Sequence, residues 1–148
     1  DCIVTPLGAG GTYAGLLTAK KLFGSNVKLF GFCTSSMHPT MVDDILKASR
    51  ETAEFLKLDL TFSEDDVRVD FDFGGTYDVP TQKSTEAIRE VARSEGVFLD
   101  PVYSAKAMSG LLEYLRKGAI PSGSRILFWH TGGSAALFGY PSAFDPAS

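Results

Sequence analysis

Two glycine clusters and a few hydroxyl side chains carry the chemistry legible in this sequence. Gly8, Ala9, Gly10, Gly11 and Thr12 follow the apolar run CIVTPL and open a helical pattern. Successive glycines after a strand let backbone N–H groups point into one concave space, and the helix that follows adds the positive end of its dipole. Such a loop holds a phosphate or another anion, with the Thr12 hydroxyl as a further donor. The plainer alternative is a tight turn that only packs a helix on a sheet. A second glycine turn, His130-Thr131-Gly132-Gly133, follows the run RILFW. Tyr77 and Tyr103 stand in polar loops. A phenol there can exchange a proton with a ligand or serve as a packing anchor.

The spacing narrows the anion. Tyr13 occupies the place of the third glycine in the dinucleotide fingerprint, and Cys33, Thr34 and Ser35 stand where its acidic residue belongs. No GxxxxGK[ST] loop occurs either. A single phosphate on a compact cofactor remains, and pyridoxal phosphate is the commonest such ligand. No metal is expected. Cys2 and Cys33 have no further Cys or His at ligand spacing and read as buried, reduced thiols of a cytosolic protein. Glu64-Asp65-Asp66 lacks the glycine and distal glutamate of a calcium loop. Trp129 and His130 are expected in the core and His38 in solvent.

The elements that position these groups alternate between periods. Residues 2–7 and 27–33 read as strands around a helix that ends at Gly24, which makes one βαβ unit. Apolar residues at helical spacing predict a helix over about 41–58. Residues 67–73, VRVDFDF, alternate, with Val67, Val69, Phe71 and Phe73 on one side, as in a strand at a sheet edge. Ser84 or Thr85 is expected to cap the next helix, which Gly96 ends. A short strand over 97–99, a helix over 105–117 with Met108, Leu111, Leu112 and Leu115 inward, a strand over 125–129 and a short final helix complete the chain. The tail from Pro141 is expected to be irregular. The class is α/β with a mainly parallel sheet. The loops at 8–12, 34–40, 100–104 and 130–133 all follow strands and can converge on one crevice beyond the sheet's carboxyl edge.

Composition agrees with this picture. The 148 residues are 44% hydrophobic and 22% charged, which suits one globular domain. The net charge is −4 and no basic run occurs, so nucleic acid is not the expected partner. No apolar run approaches the roughly 18 residues of a membrane span. A small molecule is the expected ligand. Asp1 leads straight into a strand with no initiator methionine, so a piece of a longer chain is expected.

GAGGTYAGLL, TYDVP, EGVFLDPVYSAKAMSGLL and FWHTGGSAALFGY follow one another in this order. Together they resemble the C-terminal part of the D-cysteine desulfhydrase / 1-aminocyclopropane-1-carboxylate deaminase family, pyridoxal-phosphate enzymes of the tryptophan synthase β-like fold type. The resemblance runs from about Ile3 to Tyr140. It implies a three-layer αβα arrangement, with residues 1–148 as the C-terminal part of the cofactor-binding large domain. The small domain and the segment with the Schiff-base lysine would lie upstream, outside this chain. It implies that Gly8, Ala9, Gly10, Gly11 and Thr12 cradle the cofactor phosphate and that Thr131 sits against the pyridine nitrogen. Ser104 joins the cofactor-binding set, and Tyr77 and Tyr103 face a small amino-acid substrate. Ser104 and Thr131 lean toward elimination of D-cysteine to pyruvate, sulfide and ammonia. The alternative is opening of the cyclopropane amino acid to 2-oxobutyrate and ammonia. A non-catalytic anion-binding domain is the reading if the natural chain is this short. The family implies a homodimer, and the reduced thiols imply a cytoplasmic location. Three departures stand out: Ala9 for a serine, Asp78 for a glycine, a replacement expected to re-aim Tyr77, and Ala105 for a glycine.

Overall fold

The computed structural model describes residues 1–36 and 38–144. The opening apolar run forms β1 (Cys2–Leu7), and Gly10 and Gly11 turn the chain into α1 (Gly11–Leu22). Next come β2 (Lys28–Cys33) and α2 (Met41–Phe55). The two-residue β3 (Val69–Asp70), α3 (Gln82–Glu95), α4 (Ser104–Arg116) and β4 (Ile126–Phe128) follow. Every strand pair is parallel, in the order β3-β2-β1-β4. The register runs from Cys2 opposite Lys28 to Leu7 opposite Cys33 and sets Val4 beside Phe128.

The period of two in β1 and β2 builds two cores. Leu7, Leu29 and Cys33 face α1 and α2, where Tyr13, Leu17, Met41, Ile45 and Leu46 are buried. Cys2, Val4 and Phe32 face α4 through Ala107 and Leu111. A third cluster joins Ile88 and Val91 of α3 to Ala105 of α4 and to Leu99. Helices therefore cover both faces of a parallel sheet, the three-layer αβα arrangement expected. Gly110 lets α4 lie directly on the ring of Phe32, where a Cβ would collide. Cys2 and Cys33 are free and buried, and burial pushes the Cys33 thiol up to about 12. No helix among the described residues is long and apolar enough to cross a membrane.

Several local expectations are corrected. Residues 97–99 form no strand. Leu99 is buried, but Val97 and Phe98 face outward. The expected strand over 67–73 shrinks to Val69–Asp70 because the chain turns away directly after it: the Asp70 carboxylate accepts the Asp72 N–H, and the Gly74 N–H donates to Phe71 O. Val67, Val69 and Phe71 pack on the α1/α2 side as the alternation required. Phe73, past the break, crosses to the α4 side. Thr81, not Ser84 or Thr85, caps α3, and Ser84 closes the capping box as its third residue. Leu56 lies beyond the end of α2 and is exposed. On α4 the small residues face the sheet, so Met108 and Leu112 are half-buried and Leu115 is exposed. Trp129 is not core. It follows β4, whose outer edge has no partner strand among the described residues, and is 43% exposed. His38 is half-buried rather than solvated. Residues 141–144 form a 3₁₀ turn. Met37 in the second loop and the tail over 145–148 lie outside the described residues.

Candidate functional site

Because the strands are parallel, β1, β2 and β4 all end toward the same edge, and their loops meet there. Gly10 takes φ +80 as the residue before α1, a left-handed conformation that suits glycine. A Cβ on it would lie 2.8 Å from Ile45 Cγ1, so α2 also forbids a side chain there. No side chain caps α1 and no acidic residue stands in its first turn. Its leading N–H groups are therefore left to an external acceptor. Around Gly11 a Cβ would meet nothing within 4 Å, so the mouth of the turn is open. Thr12 is half-buried in the first turn, while Ala9 and Gly11 are exposed.

Tyr103 closes one side of this turn. A Cβ on Gly8 would lie 3.5 Å from its ring. The Tyr103 hydroxyl donates to Pro6 O at 3.4 Å and accepts from Thr131 Oγ1, also at 3.4 Å. Both bonds are long, so the phenol can turn to a better partner at little cost. Thr131 is exposed at the mouth. The structure thus brings Gly8, Tyr103 and Thr131 together from three loops.

Asp100 holds that arrangement, and sequence reasoning passed over it. One carboxylate oxygen accepts the N–H groups of Val102 and Tyr103 at 3.1 and 2.7 Å. The other accepts the N–H and hydroxyl of Ser104 at 2.7 and 2.6 Å. Buried, it accepts the N–H groups that lead into α4 and fixes the Tyr103 backbone. Gly133, at φ +93, passes so close that a Cβ would lie 2.7 Å from Asp100 Oδ1. The signal in the sequence was Asp-Pro with a serine four residues after the aspartate, just before a helix. Ser104 faces inward: its hydroxyl is fully buried, donates to Asp100 and accepts the Asp100 N–H. It stands behind the site, not at its mouth.

Lys106 is the second residue that sequence reasoning left aside. The spacing makes it a helix-face charge, yet it is fully buried. Its ammonium donates to Thr34 O at 3.0 Å and Thr76 O at 2.8 Å, tying two loops together. Burial pushes its pKa below the usual lysine range, and Asp78 and Asp100 oppose that shift. An amine committed to two carbonyls is not free to form an imine. Tyr77 belongs to the loop that Lys106 anchors. Its side chain is 74% exposed and has no hydrogen-bond partner among the described residues. His130 is half-satisfied: Nδ1 accepts the Gly132 N–H at 3.2 Å, while Nε2 is buried without a partner. Among the described residues no cluster is suited to a metal.

The family model described as pyridoxal-phosphate dependent enzyme matches residues 1–132. The chain is 37% identical over 145 residues to the 1-aminocyclopropane-1-carboxylate deaminase of Methylobacterium nodulans, covering 97% of this chain and 43% of that protein. The deaminase of the same name from Ralstonia nicotianae gives the same figures. That of Mesorhizobium japonicum is 37% identical over 144 residues, covering 97% of this chain and 42% of the relative. A crystal structure described as an ACC deaminase homologue superposes with a TM-score of 0.85 at 33% identity, over 96% of this chain and 42% of that one. The chain thus spans less than half the length of the relatives it matches.

Proposed function

The chain belongs to the pyridoxal-phosphate-dependent enzyme family, and from that premise we propose that it forms the phosphate-binding part of an enzyme that deaminates a small amino acid. The preferred substrate is 1-aminocyclopropane-1-carboxylate, opened to 2-oxobutyrate and ammonia. This reverses the order drawn from the sequence, where D-cysteine came first. The relatives named above are all 1-aminocyclopropane-1-carboxylate deaminases. Ser104, one of two residues that favoured the sulfur substrate, is turned into the protein by Asp100 and so cannot report on the substrate. D-cysteine elimination remains the second reading because the Thr131 hydroxyl is exposed at the site beside Tyr103.

The observation that carries the proposal is the meeting of an uncapped, acid-free helix N-terminus with Tyr103 and Thr131. The residues present fit a compact phosphorylated cofactor. The open glycine turn has room for a phosphate, and its first-turn amides have no side-chain cap. Gly8, Ala9, Gly10 and Gly11 would hold the phosphate through backbone N–H groups, and Thr12 through its hydroxyl. Thr131 would face the ring nitrogen. A neutral hydroxyl there does not enforce a protonated ring. The bound cofactor supplies an electron sink for the pair released at the substrate's α-carbon. Tyr103, free to leave its two long bonds, holds or moves a proton at its phenol oxygen. Tyr77 would provide a second phenol from the 76–78 loop. We further infer that the remainder of the longer protein supplies the Schiff-base lysine and covers the exposed Leu127 and Trp129 at the open edge of β4.

The test uses the full-length protein. Its visible spectrum should show a cofactor band that changes on adding either amino acid. Release of 2-oxobutyrate from the cyclopropane substrate supports the preferred reading, and sulfide from D-cysteine alone supports the second. A protein that stays colourless with added pyridoxal phosphate overturns both.

A further inference from the structure

Tyr77 itself touches no hydrogen-bond partner among the described residues, yet both its neighbours are held. On one side the Thr76 carbonyl oxygen accepts from the buried Lys106 ammonium at 2.8 Å. On the other side the Tyr140 hydroxyl lies 2.7 Å from Asp78 Oδ1, to which it donates, and 3.2 Å from the Asp78 carbonyl oxygen. Asp78 adopts φ +58, one of two non-glycine residues described in the left-handed region. Aspartate enters that region more readily than most residues with a Cβ, but still at a cost that a tertiary contact can offset. The Tyr140 contact spans 62 residues of sequence, so no local turn preference explains it. Below the loop, Ser36 N–H donates to Gly75 O at 2.9 Å and Ser36 Oγ to Phe71 O at 3.2 Å. These bonds fix the base of the loop; across its tip the Val79 N–H donates to Thr76 O at a long 3.4 Å, and the contacts that tie the tip to the rest of the protein come from Lys106 and Tyr140.

We propose that Tyr140 and Lys106 are positioning residues that grip the backbone at 76–78 from two sides and so set where Tyr77 presents its phenol to the substrate. Lys106 fixes the height of the tip over the Thr34 loop, because one ammonium bonds both loops. Tyr140 fixes the twist at Asp78, and with it the direction of the Tyr77 side chain. A loop gripped at both flanks presents a rigid phenol without any bond to the phenol itself, which leaves that oxygen open to substrate. The use of Tyr77 rests on the function proposed above; the grip on the loop does not.

The test compares full-length wild type, Tyr140→Phe, and Tyr140→Phe combined with Asp78→Gly. Glycine tolerates the left-handed conformation unaided, so the double variant should need no clamp. Hydrogen exchange followed by mass spectrometry reads the loop directly. Tyr140→Phe should raise exchange several-fold in peptides covering 74–80 and leave α4 unchanged, and Asp78→Gly should reverse much of that rise. In steady-state kinetics Tyr140→Phe should lower kcat about tenfold with a smaller change in KM, and the double variant should regain most of it. Unchanged exchange at 74–80 in Tyr140→Phe overturns the clamp. Raised exchange with unaltered kinetics overturns its role in presenting Tyr77. If wild type turns over neither amino acid, the functional reading fails instead, and exchange alone decides whether the clamp exists.

Discussion

Thr131 Oγ1 and the Tyr103 hydroxyl, 28 residues apart in sequence, meet at 3.4 Å across the mouth of the first glycine turn. Tyr103 also reaches Pro6 O at 3.4 Å. Neither bond is short enough to hold the phenol firmly, but its backbone is fixed by the Asp100 carboxylate. A fixed backbone carrying a loosely bonded oxygen suits a group that must trade its partner for a substrate.

Replacing Tyr103 with Phe should therefore spare the fold and damage turnover. The lost bonds are long and half-exposed, so the thermal midpoint of the full-length protein should move little. Turnover should fall by about 10²- to 10⁴-fold, the usual scale for a positioned proton-transfer group. Assay of 2-oxo acid release alongside a thermal melt separates the two effects. A drop in the melt that matches the loss of activity would make Tyr103 a packing residue.

Gly10 carries two constraints at once. Gly10→Ala places a Cβ at φ +80 and 2.8 Å from Ile45 Cγ1. Left-handed strain and the contact together should cost about 2 kcal/mol. Retention of pyridoxal phosphate should weaken as the turn distorts. Equilibrium dialysis of the cofactor and urea unfolding check both. Gly11→Ala, with open space around its Cβ, is the control and should unfold nearer to wild type.

Lys106→Ala should be the more destabilising change at α4. It leaves the carbonyls of Thr34 and Thr76 without their donor and opens a void beneath two loops. The expected loss is about 3 kcal/mol, read as a lower urea midpoint. A midpoint within error of wild type would mean that water replaces the ammonium without cost.

Asp66 gives a pH-dependent prediction. Burial opposes its ionisation. The Lys21 ammonium at 2.6 Å and the Ser63 N–H at 2.8 Å outweigh that and hold its carboxyl below the usual range. A depressed folded pKa contributes stability that is fully present above the unfolded value of about 3.9 and is lost as the pH falls through the folded value. Wild type should exceed Asp66→Asn by about 1 kcal/mol at neutral pH. The gap should close in acid. Thermal melts of both proteins between pH 7 and pH 2 measure it, and a gap independent of pH would place the effect in packing instead.

Much of this molecule was legible in local sequence because the signals are local. Glycines after a strand, the apolar runs of β1 and β2, and Gly96 after α3 each act within a few residues. They determined the α/β class, the mainly parallel sheet and the end of α3. Tertiary structure decided what depends on residues far apart. It buried Lys106, because two distant carbonyls converge on its ammonium. It sent Phe73 to the opposite core, because the chain turns after Asp70 before the alternation is complete. It left residues 97–99 unpaired and Trp129 exposed beside the open edge of β4. It turned Ser104 inward toward Asp100 and joined Tyr103 to Thr131 across 28 residues. Spacing along a chain gives a side chain's direction within its own element. Only the packing of several elements decides whether that direction ends in solvent, in the core or at another loop.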